Sequence, residues 1–403
     1  MAGYIEILRM PGVARIIAAQ LTARLPSGML SLSILLHVER VHGSYAAAGL
    51  VLATISIGQA VSGPLTSRWM GAWGMRRVLA LTLVVCSTAV FVLALVPLSV
   101  PAMMGVALVA GLSTPPIQPA VRTIYPKIVN SRQLTPLFSL DASAQEIIWV
   151  AGPVLATFVA TQIATSAAIL LCGIMLVIGG IWFIASPEVG RVRIPRSKRN
   201  FGVVLKKPTV LLTTVVGFLL VGSCAAVEAG VVAVFGHDGP QAGIVLAIWS
   251  IGSLVGGLAL GHVPISPWSL ARRMTLVFAG TALAIIMVDD FWWISITLLI
   301  SGIGLAPALA VIFASVSSSV KFSDTAEAYG WVGTGQLIGA AIGSAIAGFL
   351  IDANGAIGAF WAAAAFALIG AIVPAIFHRA QPDLRGRDAG PIPDTEPVPV
   401  QPS

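Results

Sequence analysis

The chain has 403 residues, of which 57% are hydrophobic and only 10% are charged. This composition excludes a soluble globular protein and is typical of an integral membrane protein. The formal net charge of +7 does not indicate a partner nucleic acid, because the basic residues are spread along the chain and form no single basic domain.

Twelve apolar segments follow one another along the chain, each close to the length of about 20 residues that an α-helix needs to cross a membrane. They are continuously apolar and do not alternate with a period of two, which excludes the strands of a membrane β-barrel. The predicted spans are residues 12–36, 45–67, 78–98, 101–122, 139–163, 166–186, 209–233, 241–262, 274–288, 291–315, 327–351 and 356–377.

The basic residues lie almost entirely on one side of this arrangement. When the spans alternate in direction, all but Arg24 and Arg40 of the 23 Lys and Arg residues fall on the same side of the membrane. Because connections rich in Lys and Arg stay in the cytoplasm, we expect a multi-pass protein of the cell (inner, or plasma) membrane with both termini cytoplasmic. The basic connections would then lie against anionic lipid headgroups.

The longest basic connection divides the chain into two groups of six spans. The predicted divisions are an N-terminal six-helix half at 1–187, a basic cytoplasmic linker at 188–208, a C-terminal six-helix half at 209–377 and a proline-rich, disordered cytoplasmic tail at 378–403.

The two halves look like copies of each other, because similar residues recur at one interval along the chain. The matching pairs are Pro116 and Pro307, Gln145 and Gln336, Phe138 and Tyr329, and Gly152 and Gly343. The predicted fold class is therefore an all-α membrane protein with twelve transmembrane helices in two pseudo-symmetric six-helix halves.

The connection between the second and third spans carries a motif that begins with Gly63 and Leu65 and continues with Gly74, Arg76 and Arg77. It resembles the loop G-x-L-x-x-x-x-x-D-R-x-G-R-R of the major facilitator superfamily, with the second closing arginine one place late. The resemblance implies a secondary transporter whose halves alternate around a central cavity. It also implies that this loop holds the halves together in the outward-facing state.

The resemblance covers about residues 12–377. Two of its details bear on the mechanism. Gly71 occupies the acidic position of the loop, so the loop lacks the acid of its charge relay, and Arg68 supplies only part of the charge. In the fifth span, Gly152-Pro153 stands where the family's drug antiporters have a glycine-rich motif that ends in Gly-Pro, which implies proton-coupled efflux.

Two ionisable residues lie deep in predicted spans, where an uncompensated charge is costly and functional roles are common. Arg24 is near the middle of the first span, so it either binds an anion in a central cavity or forms a structural ion pair. Glu146 lies in the fifth span and could carry a proton as water access alternates. Its alternative is a fixed pair with Arg24 or Arg122.

Three further polar residues are candidates for the substrate or proton pathway. Asp141 is predicted near the membrane interface, at the start of the fifth span, and Gln145 follows it by four residues, so both can project from one helix face. Glu228 lies late in the seventh span, where it could be a gate, a second protonation site or a simple interfacial residue. The resemblance implies a cavity built largely from spans 1, 4, 7 and 10, with Arg24 and Glu228 on it.

The fourth span contains Pro115, Pro116 and Pro119 around Gln118. Each proline removes a helical hydrogen bond and collides with the preceding turn, so we expect a broken or kinked helix. We interpret Pro116 as part of a hinge and Gln118 as a residue that faces substrate, the alternative being a static kink.

No enzyme, cofactor or metal is expected. There is no G-x-x-x-x-G-K-[ST] phosphate loop, the five histidines are scattered, and serines in the spans lack a nearby histidine and acid. The sequence predicts a monomeric secondary transporter that exports a small, partly apolar molecule, with the proton as coupling ion. The alternatives are uptake or facilitated transport of an anionic metabolite at Arg24, or a non-transporting membrane sensor on the same fold.

Overall fold

The computed structural model describes residues 2–197, 199–235, 241–386 and 389–394. Within these ranges it has twelve helical spans long and apolar enough to cross a membrane, which confirms the prediction. The α-helices are α1 (Ala2–Arg9), α2 (Val13–His42), α3 (Tyr45–Trp73), α4 (Met75–Leu95), α5 (Val100–Leu112), α6 (Ile117–Ile128), α7 (Ser131–Ala144), α8 (Glu146–Gln162), α9 (Thr165–Ala185), α10 (Pro187–Arg191), α11 (Pro208–Phe235), α12 (Gln241–Leu260), α13 (Ser269–Ala284), α14 (Phe291–Ser319), α15 (Phe322–Asn354) and α16 (Ile357–Ile376).

Two spans are each made of two helices. The fourth span breaks between α5 and α6 at residues 113–116, where Pro115 and Pro116 have no backbone N–H to donate. The fifth span bends between α7 and α8 at Gln145. This bend turns Gln145 and Glu146 towards different neighbours.

The two halves use the same helix pairings. In the N-terminal half α2 packs on α8 and α9, and in the C-terminal half α11 packs on α15 and α16. The α3–α5 contact likewise corresponds to the α12–α14 contact, and the α4–α9 contact to α13–α16. The fold is therefore two pseudo-symmetric six-helix halves, as predicted.

One glycine crossing occurs once in each half. Gly152 of α8 lies against the backbone of Gly28 in α2, and Gly343 of α15 lies against the backbone of Gly222 in α11. A Cβ atom at Gly152 or Gly343 would collide with the facing backbone, so only glycine permits this approach. The recurrence of Gly152 and Gly343 in the sequence thus reflects equivalent helix crossings.

The halves meet at the end of the bundle that carries the basic connections around Gly74, residues 192–207 and Lys321, which we call the basic end. Here α3 and α6 pack against α15, and α7 packs against α12 and α14. The Thr334 hydroxyl donates to the carbonyl of Ala60 across this interface, at 2.8 Å. The structure is closed at the basic end.

Several helices extend further towards the basic end than predicted. The fifth span begins at Arg132 instead of residue 139, and the eleventh at Phe322 instead of residue 327. In the extension of the eleventh span, Asp324 is buried and accepts from the Ser197 hydroxyl of the linker at 2.6 Å, so protein and not lipid covers it.

The C-terminal segment beyond α16 was predicted to be disordered. In the structure the Leu384 N–H donates to Ile265 O at 2.9 Å, and Ile392 pairs with the backbone of Val320 and Phe322. The Asp394 carboxylate accepts from the N–H of Ser323 at 3.3 Å. The partners of these bonds are far away in the chain, which is why the local composition of the segment did not predict them. Residues 387–388 and 395–403 of the predicted tail lie outside the described residues.

Candidate functional site

A buried polar network occupies the N-terminal half, with Asp141 of α7 at its centre. Asp141 is 0% exposed and accepts hydrogen bonds from Gln20 Nε2 at 2.9 Å, the Tyr125 hydroxyl at 3.0 Å and Arg122 Nε at 3.3 Å. The structure therefore places Asp141 inside the protein and not at the membrane interface, because α7 begins earlier than predicted. A carboxylate with this many donors is a fixed counter-ion.

Arg24 of α2 joins this network only through neutral amides. Its Nη1 donates to Gln20 Oε1 at 2.9 Å and its Nη2 donates to Gln145 Oε1 at 2.8 Å. Gln145 Nε2 in turn donates to the Asp141 carbonyl at 3.3 Å, so the predicted common face of Asp141 and Gln145 does bring them together. Arg24 is partly exposed, and in the described residues no carboxylate contacts it directly.

Arg122 of α6, by contrast, is fully enclosed at 2% exposure. Besides Asp141, the Gln118 amide oxygen accepts from both Nη atoms of Arg122 at 2.6 Å when the amide takes the orientation that satisfies the network. The Phe313 ring of α14 covers the guanidinium, with the Arg122 Cζ atom 3.3 Å from the ring centroid. Gln118 thus contacts Arg122, and both cross-half and local partners hold Arg122 in place.

An aromatic cluster covers this network on its basic side. Phe138 of the N-terminal half lies with its ring centroid 6.4 Å from those of Phe313 and Tyr329 of the C-terminal half. The Tyr329 hydroxyl donates to the Phe313 carbonyl at 3.0 Å. Phe138 and Tyr329, which match in the sequence repeat, therefore touch each other across the interface and separate the network from the basic end.

Glu146 faces the other half of the protein. Its Oε1 accepts from the Ser253 hydroxyl of α12 at 2.8 Å, and Ser253 Oγ accepts from the Ala306 N–H at 3.2 Å. No Lys or Arg among the described residues pairs with Glu146. The predicted alternative of a fixed pair is not observed, because Arg24 binds amides and Arg122 binds Asp141.

Glu228 lies on α11, one turn beyond Cys224, and is exposed. The six predicted pathway residues thus form two groups. Arg24, Gln118, Asp141 and Gln145 belong to the buried network, whereas Glu146, which bonds to Ser253, and the exposed Glu228 lie outside it.

A second ionic cluster closes the basic end. Arg68 of α3 pairs with Glu327 of α15, with 2.8 Å between Nη1 and Oε2, and Glu327 is only 4% exposed. The other oxygen of Glu327 accepts from the Gly202 N–H at 2.8 Å, and Arg68 also donates to the Arg199 carbonyl. The acid absent from the loop motif is therefore supplied by the opposite half.

The glycines and arginines of the loop motif have distinct environments. Gly71 lies under the linker, so a side chain there would press on Pro195. Gly74 adopts φ +92, which favours glycine, and Gly63 approaches Gly330 of the other half. Arg76 donates to the carbonyl of Ile184 at 3.1 Å.

Arg77, Gly152 and Pro153 complete the predicted conformational residues. Arg77 is exposed. Gly152 forms the crossing with Gly28, and Pro153 follows it inside α8. Neither Gly152 nor Pro153 belongs to the polar network. Among the described residues, no group of three or more His, Cys, Asp or Glu could hold a metal ion.

Sequence reasoning missed the contribution of α1 to the basic end. The Tyr4 hydroxyl donates to the carbonyl of Leu258 in α12 at 3.0 Å, and the neighbouring Gly257 carbonyl accepts from Ser139 of α7 at 2.6 Å. Ile7 is buried, whereas Ile5 is exposed. This amphipathic pattern before the first span was the available signal, but α1 is too short to be predicted as a span.

The comparisons with known proteins agree with this architecture. Residues 16–288 and 225–400 match the family model described as Major Facilitator Superfamily. No curated protein matches the sequence.

Solved structures with similar folds include a human organic anion transporter, MFSD10 (TETRAN), with a TM-score of 0.68 and 15% identity over 90% of this chain and 100% of that chain. A bacterial homologue of the iron transporter ferroportin in an outward-facing state has a TM-score of 0.73 and 13% identity, over 92% of this chain and 99% of that chain. The same homologue with soaked iron has a TM-score of 0.72 and 13% identity over the same shares. These identities show the fold alone, whereas the family model matches nearly the whole sequence. The chain belongs to the Major Facilitator Superfamily.

Proposed function

We propose that this protein is a proton-coupled secondary transporter that exports a small, partly apolar molecule by alternating access. The observation that carries the proposal is the hydrogen bond between Glu146 and Ser253, which joins the two halves at 2.8 Å. Asp141 accepts from Arg122, Gln20 and Tyr125, so its place is fixed inside the N-terminal half. Glu146 has no cationic partner among the described residues, so its charge state is free to change.

Protonation of Glu146 would act on the contact between the halves. An ionised carboxylate accepts a stronger hydrogen bond from a hydroxyl than a neutral carboxyl group does. The ionised form therefore favours the closed basic end seen here, and a proton taken up from the opposite end weakens that preference. Glu228 of α11, an exposed carboxylate of the other half, is the second proton-binding group.

Two features support the direction of transport. Loops rich in Lys and Arg face the cytoplasm, so we assign the basic end to that side, and the closed basic end corresponds to an outward-facing state. The Gly152-Pro153 pair, at the crossing of α8 with Gly28 of α2, resembles the motif of the family's proton antiporters. Inward movement of a proton would then drive outward movement of substrate.

The test is flux through purified protein in vesicles with an imposed pH gradient. A screen of labelled small molecules should identify one whose movement depends on the gradient and is accompanied by opposite proton movement, measured with a trapped pH-sensitive dye. If substrate moved at a rate independent of the pH gradient, the protein would be a facilitated transporter and not a proton-coupled one. Co-movement of proton and substrate would reverse the assigned direction. Binding without any flux would identify a sensor.

Replacement of Arg68 by Ala is expected to open the basic end. The Glu327 carboxylate would lose its cation, and a loss of roughly 1.4 kcal/mol changes a two-state equilibrium tenfold. Thr334→Cys, placed at the buried contact with Ala60 in a background without the native cysteines, reports this opening. A water-soluble thiol reagent should label it about tenfold faster after Arg68→Ala.

The matched control for this prediction is Arg272→Ala, which removes an exposed arginine that follows α12 and lies outside the motif, and it should leave labelling unchanged. Glu327→Gln should act like Arg68→Ala, and the double variant should add little to either single change. Equal labelling in the Arg68→Ala variant and its parent would rule out a gating role for this ion pair.

Tyr4→Phe is expected to loosen the same end more weakly. Burial raises the pKa of Tyr4 above its usual value near 10, so its hydroxyl stays a donor across the physiological range. Loss of one such hydrogen bond changes an equilibrium by about 1 kcal/mol, or roughly fivefold. Hydrogen exchange of peptides covering residues 257–268 should therefore accelerate to a similar extent at every pH from about 6 to 9.

Glu6→Gln changes an exposed side chain of the same helix and serves as the control for Tyr4→Phe. If both variants exchange at the parental rate, the contact between α1 and α12 does not contribute to closure.

A further inference from the structure

The charges of the buried network do not balance. It contains two guanidinium groups, Arg24 and Arg122, and one carboxylate, Asp141, which contacts Arg122 directly. An arginine keeps its charge at any physiological pH, and an uncompensated charge inside the membrane is costly. The network therefore retains one positive charge, and it resides on Arg24.

The contacts of Arg24 are those of a site that awaits an anion. Both of its acceptors, Gln20 Oε1 and Gln145 Oε1, are neutral amide oxygens. Such bonds are weaker than those that a guanidinium makes with an oxyanion. An incoming oxyanion can replace an amide oxygen on Arg24. Arg122 would not be disturbed, because its hydrogen-bond partners and the Phe313 ring enclose its guanidinium group.

The face of α2 that carries Arg24 is polar along its length. Gln20, Arg24, Ser27 and Ser31 recur at helical spacing, and Ser27 and Ser31 are exposed. A polar stripe in the middle of a membrane span indicates a water-filled cavity and not lipid. Arg24, which is itself partly exposed, is thus reachable along this stripe from the end of the bundle opposite the basic end.

We propose that the transported molecule carries one negative charge on a carboxylate or similar oxyanion, and that this group binds Arg24 in place of an amide oxygen of Gln20 or Gln145. This inference rests on the proposed transport function and names its substrate class. A single charge restores neutrality to the network, whereas a dianion would reverse the imbalance. The hydroxyl of Ser31 adds a donor along the same face, whereas that of Ser27 donates to the Arg24 carbonyl.

The experiment compares probes of one shape and different charge on the purified full-length protein. The probes are 2-naphthoate, its neutral isostere 2-naphthamide, and 2,6-naphthalenedicarboxylate, each titrated while the unfolding temperature is measured. A ligand that binds only the folded state raises this temperature with concentration. We expect 2-naphthoate to bind at least tenfold more tightly than either of the other two.

The Arg24 variants identify the group that binds the probe. Arg24→Gln should abolish the stabilisation by 2-naphthoate, and Arg24→Lys should weaken it on the order of tenfold because lysine cannot bind an oxyanion with a fork of two N–H groups. Arg77→Gln, an exposed arginine outside the network, should bind like the parent. Full binding in Arg24→Gln would overturn the proposal.

Two outcomes for the parent protein need no variant. Equal stabilisation by naphthoate and naphthamide, or none by either, would overturn the proposal even if the Arg24 variants fail to fold. Failure of the transport function is distinguishable, because it would appear as naphthoate binding without proton-coupled flux. Conversely, proton-coupled transport of only neutral or cationic molecules would leave the transport function standing and remove the anion class.

Discussion

Replacement of Glu146 by Gln is expected to abolish proton-driven transport while leaving exchange of substrate across the membrane largely intact. Glutamine has nearly the same shape and its side-chain oxygen can still accept from Ser253, so the halves keep their contact. It cannot ionise, however, and a carrier without its titratable group cannot couple to a pH gradient. Accumulation driven by the gradient should fall to the level of vesicles without protein.

The same vesicles, loaded with unlabelled substrate at equal pH on both sides, measure exchange. Exchange should change by no more than about fivefold, which corresponds to roughly 1 kcal/mol for one altered hydrogen bond. Glu39→Gln is the matched control, because Glu39 lies near the C-terminal end of α2. This variant should retain proton-driven transport. If Glu146→Gln retained the pH dependence of the parent, Glu146 would not be the coupling group, and Glu228→Gln would be the next variant to examine.

Asp141→Asn is expected to give the largest loss of stability among the changes proposed for this protein. Asp141 is 0% exposed and lies 3.3 Å from Arg122, which is itself enclosed. Removal of one partner of a buried ion pair leaves an uncompensated charge and typically costs about 3–5 kcal/mol. Arg24 and Arg122 would then be two cations without a carboxylate in the network.

Thermal or denaturant unfolding in detergent, followed by tryptophan fluorescence, measures this loss. The double variant Arg122→Gln and Asp141→Asn removes both charges of the pair and should recover part of the lost stability, because neutral amides can bond to each other. Asp352→Asn changes an exposed carboxylate in the last turn of α15 and should have no measurable effect. Parental stability in Asp141→Asn would show that the network does not depend on its carboxylate.

The sequence identifies the charged residues of the candidate site as candidates, but it does not predict which residues they contact. Arg24 and Glu146 are recognisable from the sequence because a charge in an apolar segment stands out locally. Their partners are neutral residues far away in the chain, Gln145 for Arg24 and Ser253 for Glu146. Nothing in the sequence marks a serine in an apolar helix as the partner of a particular glutamate. Asp141 was misplaced for a related reason, because the end of the apolar segment was taken as the end of the span.

The ion pair of Arg68 and Glu327 at the basic end was likewise not predictable from the sequence. The loop motif predicts a contact that holds the halves together, and the missing acid at Gly71 implied a weakened one. The structure instead pairs Arg68 with Glu327 of the other half and runs the linker over Gly71. A charge relay can keep its geometry while its acid moves to another helix, so a motif alone does not show whether the relay is complete.

The number of spans, their division into two halves and the side that carries the basic loops follow from the amino-acid sequence by itself. The reason is that membrane insertion depends on local properties, namely the length of an apolar segment and the charges beside it. Only the tertiary structure decided which charges are paired, which end is closed and that no carboxylate of the described residues contacts Arg24. Those features depend on contacts between residues far apart in the chain, where a bend at Gln145 or a glycine crossing determines which side chains meet.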